Sequence, residues 1–211
     1  MEYEMNQQKE ELLENISEIF LTYGLRSTSM DDICNHLKIS KKTLYQTFEN
    51  KDDVVEQVML YRSAKRRKEN NLDEMLKMNP VHFLYSIKKH IISDLCSRLP
   101  ANFYDMKKYH PEVDKRISKK DCEFITQLLT QVLSKGVREG YFQKDLNMEV
   151  QIYLFCEQMS FLGEPDTMNA MKYPITVVLT TIVDNFIRAI SCEKGIMEFD
   201  QLTEEERKSG I

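Results

Sequence analysis

Between Thr28 and Lys51 the chain reads TSMDDICNHLKISKKTLYQTFENK, two helix starts and a tight turn in quick succession. Ser29 is a natural N-cap, with Asp32 three residues on as an acidic capping box. Met30, Ile33, Cys34 and Leu37 fall on one face of the helix that follows. Lys38-Ile39 makes the turn, and Ser40 caps a second short helix. At ~100° per residue, Leu44 and Phe48 share one side of it, and Gln46 points almost directly away. Lys42 and Thr43 flank Gln46, and Lys41 and Tyr45 lie on the margins. This helix is too polar outside to be a core element and too well anchored inside to be a loop. A DNA major groove accepts such a helix.

The side chains fit specific partners. Gln46 can pair bidentately with adenine, Lys42 can reach guanine N7 and O6, and Thr43 can meet a thymine methyl or a phosphate. Lys41 and Tyr45 suit phosphates, as do Thr28 and Ser29 at the first helix N-terminus and Lys51 at the start of a third. The charge distribution agrees. Residues 1–23 carry 1 Lys against 6 Glu, residues 24–68 carry 10 Lys+Arg against 6 Asp+Glu, and residues 69–211 carry 18 against 22. The net charge of −5 thus conceals a segment of +4 around the polar helix, the pattern a phosphate backbone attracts. The basic run Arg62, Lys65, Arg66, Arg67, Lys68 starts roughly 16 Å along the axis from Lys51, so it reads as a solvated or inter-domain face.

The rest of the chain is patterned for helices. Leu12, Leu13, Ile16, Ile19, Phe20 and Tyr23 give the first helix an apolar face, and Gly24 is placed to end it. Helices are expected over 81–99 and 113–138, with a short aromatic-rich element between Pro100 and Pro111. Gly140 is placed as a terminator, with Asp145 or Asn147 capping the next helix. The tail 192–211 reads as a frayed extension. The expected fold class is all-α, and at 42% hydrophobic and 30% charged the chain suits a globular, cytoplasmic protein. No run reaches the ~18 apolar residues of a membrane span. The five cysteines are widely spaced and suit reduced, buried thiols, and the four histidines are too scattered to share a metal. No cofactor is implied, and the phosphate-loop, zincin and nucleophile-elbow motifs of common enzymes are absent.

The long first helix ending in Tyr23-Gly24, the TSMDDI opening and the string ISKKTLYQTFENKDDVV resemble the TetR family of bacterial transcriptional regulators. The likeness is specific over about residues 8 to 60, with Leu44, Tyr45, Phe48 and Lys51 in the expected places. KGVREGYFQKDLNMEV resembles the junction before that family's last two helices. Lys38 stands where the family often has Gly, and Cys34 where it often has Ala. A turn through Lys38 therefore either avoids the left-handed conformation or bears its cost.

The resemblance implies an N-terminal helix-turn-helix DNA-binding domain at 6–66. A helical ligand-binding and dimerisation domain at 67–211 follows. It implies a homodimer that represses from an inverted-repeat operator until a small apolar or amphipathic effector releases it. The wide apolar faces of 148–162 and 174–191 suggest that these two helices form the two-fold interface, or else a buried pair within a monomer. Candidate effector-lining residues are Phe83, Ile87, Phe103, Tyr104, Met106, Phe124, Leu128, Tyr153, Cys156 and Met159. The rival reading is a helical adaptor that binds protein rather than DNA. It explains the apolar faces but not the polar helix with its basic neighbourhood.

Overall fold

The computed structural model describes residues 2–69, 72–97, 100–162 and 164–209, with side chains beyond 2–6, 72–73, 93–97, 100–103, 165, 168–169 and 209. The described residues form helices and connecting turns, with one isolated bridge between Phe142 and Ser191. In order these are α1 (Glu2–Tyr23), α2 (Met30–Leu37), α3 (Lys41–Thr47), α4 (Lys51–Glu69), α5 (Leu72–Met75), α6 (Pro80–Ser97), α7 (Pro100–Tyr109), α8 (Pro111–Arg138), α9 (Met148–Leu162), α10 (Pro165–Ala170), α11 (Ile175–Ile190) and α12 (Glu193–Ser209). Prolines open α6, α7 and α8, where the first-turn N–H has no helical partner to lose. Gly24 and Gly140, at φ 84° and 76°, follow α1 and α8 in the left-handed conformation that a side chain would strain. The cap before α9 is Asn147, whose Oδ1 accepts from the Val150 N–H at 3.2 Å.

Two compact units divide the chain: 1–71 with 98–120, and 72–97 with 121–211. The first has a core of Leu13, Ile16 and Phe20 from α1, Ile33 and Cys34 from α2, Leu44, Phe48, and Val54, Val55 and Val58 from α4. Met106, Val113 and Ile117 are buried in the same cluster. The basic run of α4 is tied back to α1. Lys65 Nζ and Tyr61 Oη both donate to Glu14, at 2.6 and 2.7 Å. These bonds hold the Glu14 carboxyl below its ordinary range and push the Tyr61 hydroxyl up to about 12.

The second unit is built on α6, α8, α9, α11 and α12, with Phe83, Leu84, Leu133, Phe155, Leu179, Phe186 and Ile187 among its buried residues. Its last helix corrects the expectation of a frayed tail. Phe199 of α12 is 1% exposed, and Tyr85 Oη donates to the Leu202 carbonyl at 3.2 Å and to Glu206. Lys88 lies buried between Asp184 at 3.0 Å and the rings of Tyr85 and Phe199. The alternation of acidic and apolar residues over 193–209 obscured this helix, since Phe199 is its one large buried anchor. No described helix is long and apolar enough to cross a membrane.

Candidate nucleic-acid interface

The reader is assembled from its caps inward. Ser29 Oγ accepts from the Asp32 N–H at 3.1 Å, and Asp32 accepts from the Ser29 N–H at 2.8 Å, a complete capping box. Ser29 Oγ also donates to Asp32 Oδ2 at 2.6 Å, and this bond, with the one from the Ser29 N–H, holds the Asp32 carboxyl below its ordinary range. The turn between α2 and α3 takes the strained course. Lys38 sits at φ 54°, ψ 39°, and the Ile39 N–H reaches back to the Cys34 carbonyl at 3.1 Å. That closes α2 with a Schellman-type end in which a lysine occupies the place suited to glycine. Ser40 Oγ then accepts from the Thr43 N–H at 3.0 Å and starts α3.

Leu44 is wholly buried and pins α3 to the core. Phe48 is buried as well, but not as part of the helix. It is the C-cap residue in extended backbone (φ −130°, ψ 135°), so it anchors the exit of α3 rather than its face. On the outer side Lys42 and Gln46 are exposed, and Tyr45 is 52% exposed. Thr43 is exposed too, although its hydroxyl shares a 2.8 Å hydrogen bond with Ser40.

The expected phosphate contacts divide. Ser29 and Tyr45 are exposed. Lys41 is exposed but ion-paired with Asp31 at 2.8 Å across the turn. Lys51 is half-buried, and its Nζ donates to the Leu25 carbonyl at 2.6 Å. Burial draws its ammonium below the ordinary lysine range. Thr28 is the clear departure. It is 2% exposed and its hydroxyl donates to the Gly24 carbonyl at 2.8 Å, so its side chain shapes the α1–α2 turn instead of facing outward. The pairings of the two lysines were not legible locally, because Asp31–Lys41 and Leu25–Lys51 join residues 10 and 26 apart. His36 has a ring partner. It stacks on Tyr23, with ring centroids 4.7 Å apart.

A family model for bacterial regulatory proteins of the tetR family matches residues 12–58, which span α2, the turn, α3 and the first turns of α4. Over this segment the chain is similar to the tetR family of bacterial regulatory proteins. Its similarity extends beyond the reader. The repressor KstR2 of Mycobacterium tuberculosis is 25% identical over 174 residues, covering 76% of this chain and 81% of the relative. A probable acrEF/envCD operon repressor of Escherichia coli is 20% identical over 207 residues, covering 93% of each. A TetR transcription regulator from Haloarcula marismortui superposes with a TM-score of 0.70 at 16% identity, over 89% of this chain and 100% of that one. These similarities support a DNA-binding regulator.

The expected effector-lining residues are divided between the two units. Ile87, Leu128, Cys156 and Met159 are partly buried against the core of the second unit, which also buries Phe83, and Phe124 is half-buried. Met106 belongs to the core of the first unit and Tyr104 lies in that unit, while the side chain of Phe103 lies outside the described residues. Tyr153 is 62% exposed, because it occupies the outer face of α9 with Val150, Leu154 and Phe161. The apolar surplus of α11 is largely taken up inside its own unit by Leu179, Val183, Phe186, Ile187 and Ile190, leaving Val177 exposed. Burial drives the Cys156 thiol up to about 11.

Proposed function

We propose that this protein is a cytoplasmic repressor that binds an inverted-repeat operator as a homodimer and leaves it when a small apolar or amphipathic effector binds the second unit. The observation that carries the reading is α3. Leu44 anchors it from inside, while Lys42 and Gln46 stand exposed with no partner among the described residues. Lys42, Thr43 and Gln46 are assigned to base edges, and Ser29, Lys41, Tyr45 and Lys51 to phosphates. Thr28 contributes its backbone N–H and the shape of the turn.

Both curated relatives carry the name repressor, which supports repression over activation. One recognition helix reads only a half-site, so gripping two requires a second copy. The exposed row Val150, Tyr153, Leu154 and Phe161 of α9, with Val177 of α11, is the surface assigned to it. The effector class rests on the apolar character of Ile87, Leu128 and Met159 around the second core.

Genome-wide selection of fragments by the purified protein tests the reading. The expected product is an inverted repeat whose affinity falls steeply with salt. Failure to enrich any fragment over competitor DNA overturns it. Thermal-shift screening followed by operator-release assays tests the effector, and a ligand that stabilises the protein without releasing DNA counts against inducer control.

A further inference from the structure

The groups assigned to phosphates at the starts of α2 and α4 are joined by a closed chain of contacts through a third element. Lys51 Nζ donates to the Leu25 carbonyl at 2.6 Å, which links the start of α4 to the α1–α2 loop. The next residue of that loop, Arg26, donates its backbone N–H to Asp105 Oδ2 of α7 at 3.2 Å. Its guanidinium lies over the ring of Tyr109, 5.0 Å from the centroid. Five residues beyond Asp105, His110 Nδ1 is 2.6 Å from Asp52 Oδ1, immediately after Lys51. His110 is 5% exposed, while its partner Asp52 stands at the surface. The ring therefore runs Leu25, Arg26, Asp105, His110, Asp52, Lys51 and back to Leu25. Arg116 adds a second fastening one turn further along α4, donating to Glu56 at 2.6 Å through Nη2.

We infer that the end of α7 and the residue after it, through Asp105 and His110, form a positioning element for DNA binding that sets the spacing between the phosphate-facing starts of α2 and α4. The inference rests on the DNA-binding reading above. Neither Asp105 nor His110 is assigned to touch DNA, and neither lies within the segment that the family model matches. The geometry also explains why an acidic side chain sits beside the basic reader. Asp105 accepts the N–H that fixes the loop, and its charge acts on Lys51.

The sign of the effect separates positioning from simple charge. Removing a carboxylate near a phosphate-binding surface should strengthen DNA binding by electrostatics alone. A positioning role predicts the opposite for Asp105→Ala, about a tenfold loss of operator affinity at unchanged ionic strength. Asp105→Asn keeps an oxygen for the Arg26 N–H and is expected to bind as tightly as the natural protein or more tightly. Asp105 is half-buried and Asp52 exposed, so neither substitution opens a cavity in the core. Asp52→Ala, which removes the His110 contact, is expected to fall with Asp105→Ala.

Amide hydrogen exchange on the DNA-free protein supplies an independent readout. Residues 25–30 and 49–54 should lose protection together in Asp105→Ala and Asp52→Ala and keep it in Asp105→Asn. Equal or tighter operator binding by Asp105→Ala than by Asp105→Asn overturns the inference, as does unchanged exchange in both segments. If the natural protein selects no DNA, the functional reading fails, and the exchange result still decides whether α7 couples the two helix starts.

Discussion

Phe161→Ala tests the surface assigned to the second copy. Phe161 is 62% exposed near the end of α9, where it does nothing for the core of its own unit. A phenylalanine offers about 200 Å² of burial, so roughly 120 Å² remains to be covered, worth about 3 kcal/mol at ~25 cal/mol per Å². Fixing the side chain at an interface costs about 1 kcal/mol, leaving about 2. A two-fold interface uses the residue twice, so the loss is about 4 kcal/mol, or ~10³-fold in the dimer dissociation constant. Sedimentation velocity over a dilution series measures that shift directly. Far-ultraviolet circular dichroism should show undiminished helix, because the truncated side chain was already in solvent. Operator affinity should fall with dimerisation and recover at high protein concentration. A dimer that survives Phe161→Ala unchanged while still binding DNA refutes the assignment of this face.

Four other outcomes follow from the same geometry. Gln46→Ala should leave stability untouched and relax base preference at one position of each half-site by about 1–3 kcal/mol, read from a panel of mutated operators. Lys51→Ala should weaken all sequences alike and lower the salt slope by about one, while faster exchange at Leu25–Arg26 reports the lost bond to the loop; a sequence-selective effect counts against its phosphate role. Lys38→Gly should raise the melting temperature: a left-handed non-glycine residue costs about 1–2 kcal/mol, and the greater freedom of unfolded glycine offsets roughly half of it. A lower melting temperature means the turn is unstrained. Glu14→Gln should destabilise at neutral pH. Because the folded-state pKa of Glu14 is depressed, its contribution is present above 4.5 and disappears as pH falls through the folded value, so the two melting curves should converge in acid.

The fold was legible where periodicity and punctuation agree. Ser29 with Asp32, Ser40, Pro111, Gly24 and Gly140 mark helix ends by local chemistry, and the structure uses each of them there. The sequence was less informative where one side chain has two plausible partners. Thr28 looks like an outward hydroxyl until its 2.8 Å bond to Gly24 turns it inward, and Phe48 looks like a helix-face residue until the backbone extends one position earlier. The membership of 98–120 in the first unit was invisible, since Met106, Val113 and Ile117 match either core by hydropathy alone. α12 was read only as a frayed extension for a related reason. One buried phenylalanine among acids gives little periodic signal, although Tyr85, His82 and Lys89 on α6 supply partners for Glu198 and Glu206.

Charge counting has to be revised in the same way. The excess of +4 over residues 24–68 treats every lysine as available to DNA, yet Lys41 is paired with Asp31 and Lys65 with Glu14. Lys51 is engaged with a carbonyl and partly desolvated. Among the reader's cations only Lys42 stands exposed without a described partner on α3, and Lys38 stands beside it in the turn. An exposed pair such as Asp31–Lys41 is worth only about 0–1 kcal/mol, so a phosphate can take Lys41 from Asp31 at little cost. The exchange leaves Asp31 unpaired near the backbone, which penalises loose, non-specific complexes in which Lys41 gains no well-placed phosphate. Asp31→Asn should therefore raise affinity for random DNA more than for the operator, narrowing specificity while strengthening binding. Competition titrations against both sequences resolve the two effects, and an equal gain on each would show that Asp31 acts only through bulk charge.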